Sequence, residues 1–265
     1  MNTIILFIVG ACAGTFGSLL GLGGGVIIVP VLNLLLGVPM HIAIGTSLIG
    51  VIATSTGAVR FFLRKGLVDL RLGLTLELTT TLGAIAGALV SGSLSPDLLR
   101  LIFGLFLFYI VWTMARRPET AQIRAPQNSD SPSQGHTRRG RWKNLHFGLL
   151  ASSFAGVLSG LLGVGGGTIK IPAMYLIMGL PLKVATATST YMIGITALAS
   201  STIYEIRGHI DYQITAVVTL GVLTGSLLGS RLSSRISTKA LRWIFIVVLI
   251  MLAAQMVIKG VAGLK

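Results

Sequence analysis

Twice in this chain a cluster of glycines is followed, five residues after its last member, by a proline: GLGGGVIIVP at 21–30 and GVGGGTIKIP at 163–172. Glycine opens backbone conformations closed to other residues and lets another group approach the main chain. Proline disfavours the α region for the residue before it, here Val29 and Ile171, and suits the first position of a helix. The order predicts a helix that stops near Gly21 and restarts near Pro30, leaving 21–29 non-helical, with a second break of the same kind at Gly163. Free amides of Gly23, Gly24 and Gly25, and of Gly165, Gly166 and Gly167, together with the positive end of the next short helix, would receive an anion. Small-residue helix packing is the competing use of such glycines; two copies at one spacing favour a site. A dinucleotide-binding loop is excluded, because the third glycine is off its required spacing.

Around the breaks lie further groups with suitable chemistry. Thr46 and Ser47 fall about two turns into the following helix, and Thr188 and Ser189 repeat them, with Thr54 and Thr196 at helical spacing beyond. Their hydroxyls can donate to a bound oxyanion or bond to their own helix backbone. Lys170 stands where the first copy has Ile28. A lysine on an irregular membrane segment is a functional candidate, with snorkelling to a headgroup as the alternative. Glu77 is the best protonatable carboxylate for coupling, with Arg60 as its expected partner. Asp69 and Asp211 are expected as helix N-caps. His41, His136, His146 and His209 have no metal-ligand spacing and are placed at membrane interfaces; Cys12 reads as a small packing residue. No metal, cofactor or catalytic cluster is expected, which argues against an enzyme.

The elements that must carry these residues are membrane helices. Of 265 residues 53% are hydrophobic and only 11% charged, where a soluble domain has about 25% charged. Apolar runs at 41–63, 72–94, 97–115, 211–230 and 239–258 each reach the roughly 18 residues needed to cross a bilayer. Residues 3–20 lack the flanks of a removable signal peptide and are read as retained. The formal charge of +14 is concentrated in loops: seven of 21 basic residues lie between Arg116 and Lys143. That pattern fits anionic headgroups on the cytoplasmic side rather than nucleic acid.

The chain is duplicated. An offset of 142 carries Gly37 and Pro39 onto Gly179 and Pro181, Gly66 and Asp69 onto Gly208 and Asp211, Gly83 and Gly87 onto Gly225 and Gly229, and Arg100 onto Arg242, without a gap. The expected organisation is a first transmembrane repeat at 1–115, a basic flexible cytoplasmic linker at 116–143 and a second repeat at 144–265. Each repeat reads as a glycine-broken helical hairpin plus three longer transmembrane helices, giving an all-α polytopic membrane protein. Basic loops at Arg64, Lys65 and Arg71, and at Arg231, Arg235, Lys239 and Arg242, both fall inside only if the broken unit is a hairpin, which makes the repeats inverted.

The doubled G-x-G-G-G-x-x-x-x-P, with its G-x-P and Thr-Ser pair, resembles the TauE/SafE family of sulfite and organosulfonate exporters. The likeness covers nearly all of 3–258 except the linker. It implies an inner-membrane permease of a bacterium or archaeon for small sulfur-containing or organic anions, with the glycine motifs falling on Gly21, Gly23–Gly25 and Pro30, and on Gly163, Gly165–Gly167 and Pro172. The expected partners are a small anionic substrate and membrane lipid; a homodimer is compatible with the sequence. A monovalent anion leaving a negative interior gains about 2.3 kcal/mol per 100 mV, so export needs no coupled ion up to a gradient of about fortyfold. Import would require coupling through a protonatable group, Glu77 or, less readily, Asp69, Asp211 or Glu205. A channel is the remaining alternative.

Overall fold

The computed structural model describes residues 3–20, 22–116, 144–232 and 238–264. Gly21, the linker beyond Arg116, Arg235 and Lys265 lie outside the described residues, as do the side chains of Arg116, Arg231, Lys239 and Arg242. Every regular element among the described residues is helical: α1 Thr3–Leu20, α2 Gly25–Pro30, α3 Met40–Arg64, α4 Leu70–Ser91, α5 Pro96–Arg116, α6 Leu145–Leu162, α7 Gly167–Pro172, α8 Leu182–Ile206, α9 Tyr212–Leu232 and α10 Thr238–Leu264. Six of them (α3, α4, α5, α6, α9 and α10) are long and apolar enough to cross a membrane by length and composition. Each short helix continues as one π turn, Val31–Leu35 after α2 and Ala173–Ile177 after α7. Eleven such residues reach about 16 Å, half a hydrocarbon core, too short to cross one alone.

The breaks are shorter than the proline rule predicts. Helix α2 restarts at Gly25 and contains Pro30, so only 22–24 of the described break are non-helical, and 163–166 in the second copy. Val29 keeps the helical conformation because it is fully buried, and packing overrides a preference that only disfavours the α region. The proline acts downstream instead. Without an N–H to close the i→i−4 ladder, the helix widens into the π turn, where Leu36 donates to Val31 (3.3 Å) and Met178 to Ala173 (3.2 Å). Gly37 and Gly179 then end both segments at φ +68° and +74°. Asp69 accepts from the Leu72 amide (3.0 Å) and Asp211 from those of Gln213 and Ile214 (2.9 and 3.1 Å), as N-caps should.

Contacts exchange between the two sequence halves. Helix α1 packs on α9 and its counterpart α6 on α4, while α3 and α8 cross each other, as do α5 and α10. Small residues make these approaches possible. A Cβ at Gly14 would lie 2.8 Å from the Val222 Cα, one at Gly225 2.9 Å from the Ala11 Cα, and one at Gly87 3.0 Å from the Val157 Cα. The recurrence of Gly83 and Gly87 at 225 and 229 is thus a packing signature. Cys12 falls off the buried stripe of α1 (Leu6, Gly10, Ala13, Gly17) and is exposed, so it packs against nothing inside the chain.

Candidate functional site

The two breaks meet at the centre of the molecule. Gly23 and Gly165 both adopt φ +82°, and both face the same two side chains, Val51 of α3 and Ile193 of α8. Gly25 leaves room for the opposite break: a Cβ there would stand 3.0 Å from the Val164 Cα and 2.8 Å from the Ser47 hydroxyl. Ser47 fixes this junction by donating to the Gly163 carbonyl at 2.7 Å. Val51 and Ile193 fill the space between the glycines, so this conformation is closed around the breaks.

The second break carries unpaired hydroxyls as well as unpaired amides. Its turn is closed by Gly163 N–H to Ser159 O (2.8 Å) and by the Ile169 and Lys170 amides to Gly166 O (3.2 and 3.1 Å). None of the amides from Val164 to Thr168 has a backbone acceptor among the described residues. The hydroxyls of Ser159 and Thr168 are buried without a partner, as is that of Ser189. Ser159 borders the break directly, its Cβ 3.4 Å from where a Gly166 Cβ would stand.

One turn further along α7, Lys170 is completely buried, so snorkelling does not describe it. Side chains of a helix lean toward its N-terminus, which for Lys170 is the break. Its ammonium donates to the Thr196 hydroxyl of α8 (2.8 Å) and forms an ion pair with Glu77 of α4 (Nζ to Oε2, 3.4 Å). Thr196 in turn donates to Glu77 Oε1 at 2.5 Å, and Thr81 donates to the same oxygen at 3.1 Å. An ammonium has three donors; two are used here. Holding two charges away from water costs several kcal/mol per ion, which only this network of partners offsets.

Glu77 pairs with Lys170 and not with Arg60, which is exposed. Thr46 and Thr188 sit away from the breaks: Thr46 shares a hydrogen bond with Thr215 (2.9 Å), and Thr188 accepts from the Asp69 amide (3.0 Å). These hydroxyls pin helix starts to neighbouring helices. Sequence reasoning placed Thr196 near the site by helical spacing alone and overlooked Thr81, whose signal is its i+4 spacing from Glu77. His41 and His209, expected as interfacial residues, lie with ring centroids 4.8 Å apart and tilted by 31°, and His41 Nε2 bonds to the Ser91 carbonyl at 3.1 Å. No group of three or more His, Cys, Asp or Glu able to hold a metal exists among the described residues.

The network has no copy in the first half. Counterparts of Lys170, Glu77 and Thr196 are Ile28, Thr219 and Thr54; Ile28 is also fully buried, and Thr54 bonds only to its own helix, at Gly50 O (3.1 Å). Among the described residues there is therefore one such network, built from Lys170 of α7, Glu77 and Thr81 of α4 and Thr196 of α8.

Residues 6–256 match the family described as Sulfite exporter TauE/SafE. The probable membrane transporter protein YunE of Bacillus subtilis is 30% identical over 274 residues, covering 98% of this chain and 99% of the relative. The probable membrane transporter protein YdhB of the same organism is 25% identical, covering 82% of this chain and 83% of the relative. The probable membrane transporter protein MJ0441 of Methanocaldococcus jannaschii is 28% identical, covering 73% and 69%. No solved structure matches. These names indicate transport rather than catalysis, and with six apolar helices they place the protein in a membrane as a multi-pass chain. The chain belongs to the sulfite exporter TauE/SafE family of membrane transporters.

Proposed function

We propose that this transporter is an alternating-access carrier that exports a small anion, a sulfur oxyanion or an organosulfonate, held between Lys170 and the second glycine break. The observation that carries the reading is the sign of what is unpaired. The third Lys170 donor, the amides from Val164 to Thr168, and the Ser159 and Thr168 hydroxyls all lie buried on one short segment. A cluster of spare donors around an ammonium calls for a ligand that only accepts, which is an oxyanion. Gly23, Gly24 and Gly25 supply the opposing wall.

We read the repeats as inverted, an arrangement suited to alternating access. His41 at the start of α3 lies against His209 beyond the end of α8, while Ser55 of α3 donates to Thr190 of α8 (2.7 Å). Counterpart helices thus run in opposite senses past the site. Arg64, Lys65 and Lys183 are exposed at the other end, the one that the charge rule assigns to the cytoplasm. Rocking one half against the other would uncover the breaks first to one side and then to the other. A second reading, ion-coupled carriage that also permits import, is favoured by one observation: the membrane carboxylate Glu77 touches Lys170.

The test is counterflow in proteoliposomes with sulfite, thiosulfate, sulfoacetate and a simple carboxylate. Saturable, trans-stimulated flux of at least one sulfur anion is expected, with Lys170→Gln raising the half-saturation concentration about tenfold or more. Absence of counterflow for the whole panel, or an unchanged half-saturation in Lys170→Gln, would overturn the proposal.

A further inference from the structure

We infer that one proton and one anion load the site together, Glu77 taking the proton as the anion takes its place on Lys170. This rests on the carrier reading above in its second, ion-coupled form, in which the pH difference sets the direction of net flux, and adds the coupling ion and its stoichiometry.

The argument is charge accounting in a closed site. As it stands, the site holds Lys170 and Glu77 at 3.4 Å, both buried, and is neutral. Adding an anion with Glu77 still ionised would leave a net negative charge enclosed in protein, which low dielectric strongly disfavours. Adding a proton to Glu77 with the anion restores neutrality. It frees the ammonium, and turns the carboxyl into a further donor. The proton comes from the side where the site is open and leaves on the other side with the anion, so the empty and loaded carriers both cross uncharged.

No other ionisable group competes for this role. On α4 itself, Asp69 and Arg71 stand at the start, two turns away. Helix α6, packed against α4, brings only His146, exposed near its first turn. On α8, Thr196 is the residue bonded to Glu77. Lys183 and Glu205 are exposed near the ends of α8, Tyr191 lies beside Gly73, and Tyr204 is bonded to Ser91. Among the described residues the only charge facing Glu77 is Lys170. Because the counterparts are Ile28 and Thr219, the duplication adds no second proton site, and the ratio is one to one.

The consequence is electroneutral transport. Flux would ignore the membrane potential, and a pH difference of one unit would balance about a tenfold anion gradient. The probe is methanesulfonate, which stays monovalent at all pH values used. Wild-type proteoliposomes with acid outside should accumulate it about tenfold per pH unit and take up one proton per anion. A potassium–valinomycin potential of either sign should change the rate less than twofold. Glu77→Gln should lose at least tenfold in net proton-driven uptake, because its empty carrier holds an unbalanced ammonium, and the uptake that remains should carry no proton with each anion. Net flux that follows the potential and ignores the pH difference overturns the inference while leaving the carrier intact. So does full proton-driven uptake by Glu77→Gln. Missing counterflow in the wild type overturns the carrier reading itself.

Discussion

Lys170→Ile should unfold this protein more easily than any conservative change elsewhere in its core, and the double variant Lys170→Ile/Glu77→Thr should largely restore it. The pair of substitutions copies the residues at the first half's counterpart positions, Ile28 and Thr219. Removing the lysine alone strands the Glu77 carboxylate, which is 4% exposed, with Thr196 and Thr81 as its hydrogen-bond donors. Breaking a buried ion pair from one side costs about 3–5 kcal/mol. For a chain of this size each kcal/mol moves the midpoint by roughly 2–4 °C, so a loss of about 10 °C is expected. The double variant carries no stranded charge and has only the smaller threonine to accommodate, at about 1 kcal/mol. Thermal unfolding in one detergent, followed by intrinsic fluorescence, closes the double-mutant cycle. Transport should be lost in both variants. A single variant that melts with the wild type would refute the reasoning, as would a double variant that melts as low as the single.

The glycine breaks, their clamp and the histidine pair give further tests. Gly24→Ala and Gly166→Ala place a Cβ 2.9 Å from the carbonyl oxygens of Ala13 and Ala155 at φ +77° and +72°. Both should lose more than the roughly 1–2 kcal/mol of left-handed strain, whereas Gly37→Ala, in open space at φ +68°, should lose no more than that; melting of the three variants side by side decides it. Ser47→Ala removes the hydrogen bond to Gly163 O and should cost about 1 kcal/mol, together with a slower counterflow rate. Burial, then Coulombic repulsion from the neighbouring His41 and Arg207 side chains, holds the His209 imidazole below its usual pKa. The unfolded chain therefore binds a proton that the folded one refuses. Stability is full above the unfolded value of about 6.5 and falls as the pH drops through it toward the folded value; His209→Gln should flatten the melting-temperature profile across that window.

Much of this architecture is legible because its causes are local. A glycine cluster, a proline and a G-x-P return fix where the chain turns, and the 142-residue offset recurs in the backbone as φ +68° at Gly37 and +74° at Gly179. What the local signals mispredict is Pro30, where burial of Val29 outweighs the preference of a pre-proline residue. The ion pair is illegible for a different reason. Lys170 and Glu77 are 93 residues apart and Thr196 and Glu77 are 119 apart, so only the packing of α4 against α8 brings them together. Arg60 looked closer along the chain, yet it lies on α3. The recurrence of Thr46 at Thr188 carried a true signal with a different meaning, since both pin helix starts. His41 and His209, 168 positions apart in the sequence, meet only because the α3 start and the α8–α9 loop share one end of the molecule.

The halves have kept what shapes the backbone and let the chemistry diverge. Glycines at counterpart positions hold the same angles, φ +82° at both Gly23 and Gly165, and each break still faces both Val51 and Ile193. The side chains that border the breaks have parted: Ile28 fills the space that Gly50 leaves, its tip 2.9 Å from where a Cβ would stand, while Lys170 reaches Glu77. A second buried ion pair would add another several kcal/mol of desolvation per ion without shortening the path across the membrane. Symmetry is thus useful in the scaffold, where two alike halves can trade conformations at little cost. It is expensive at the buried charge pair, where a second copy would repeat the whole desolvation cost.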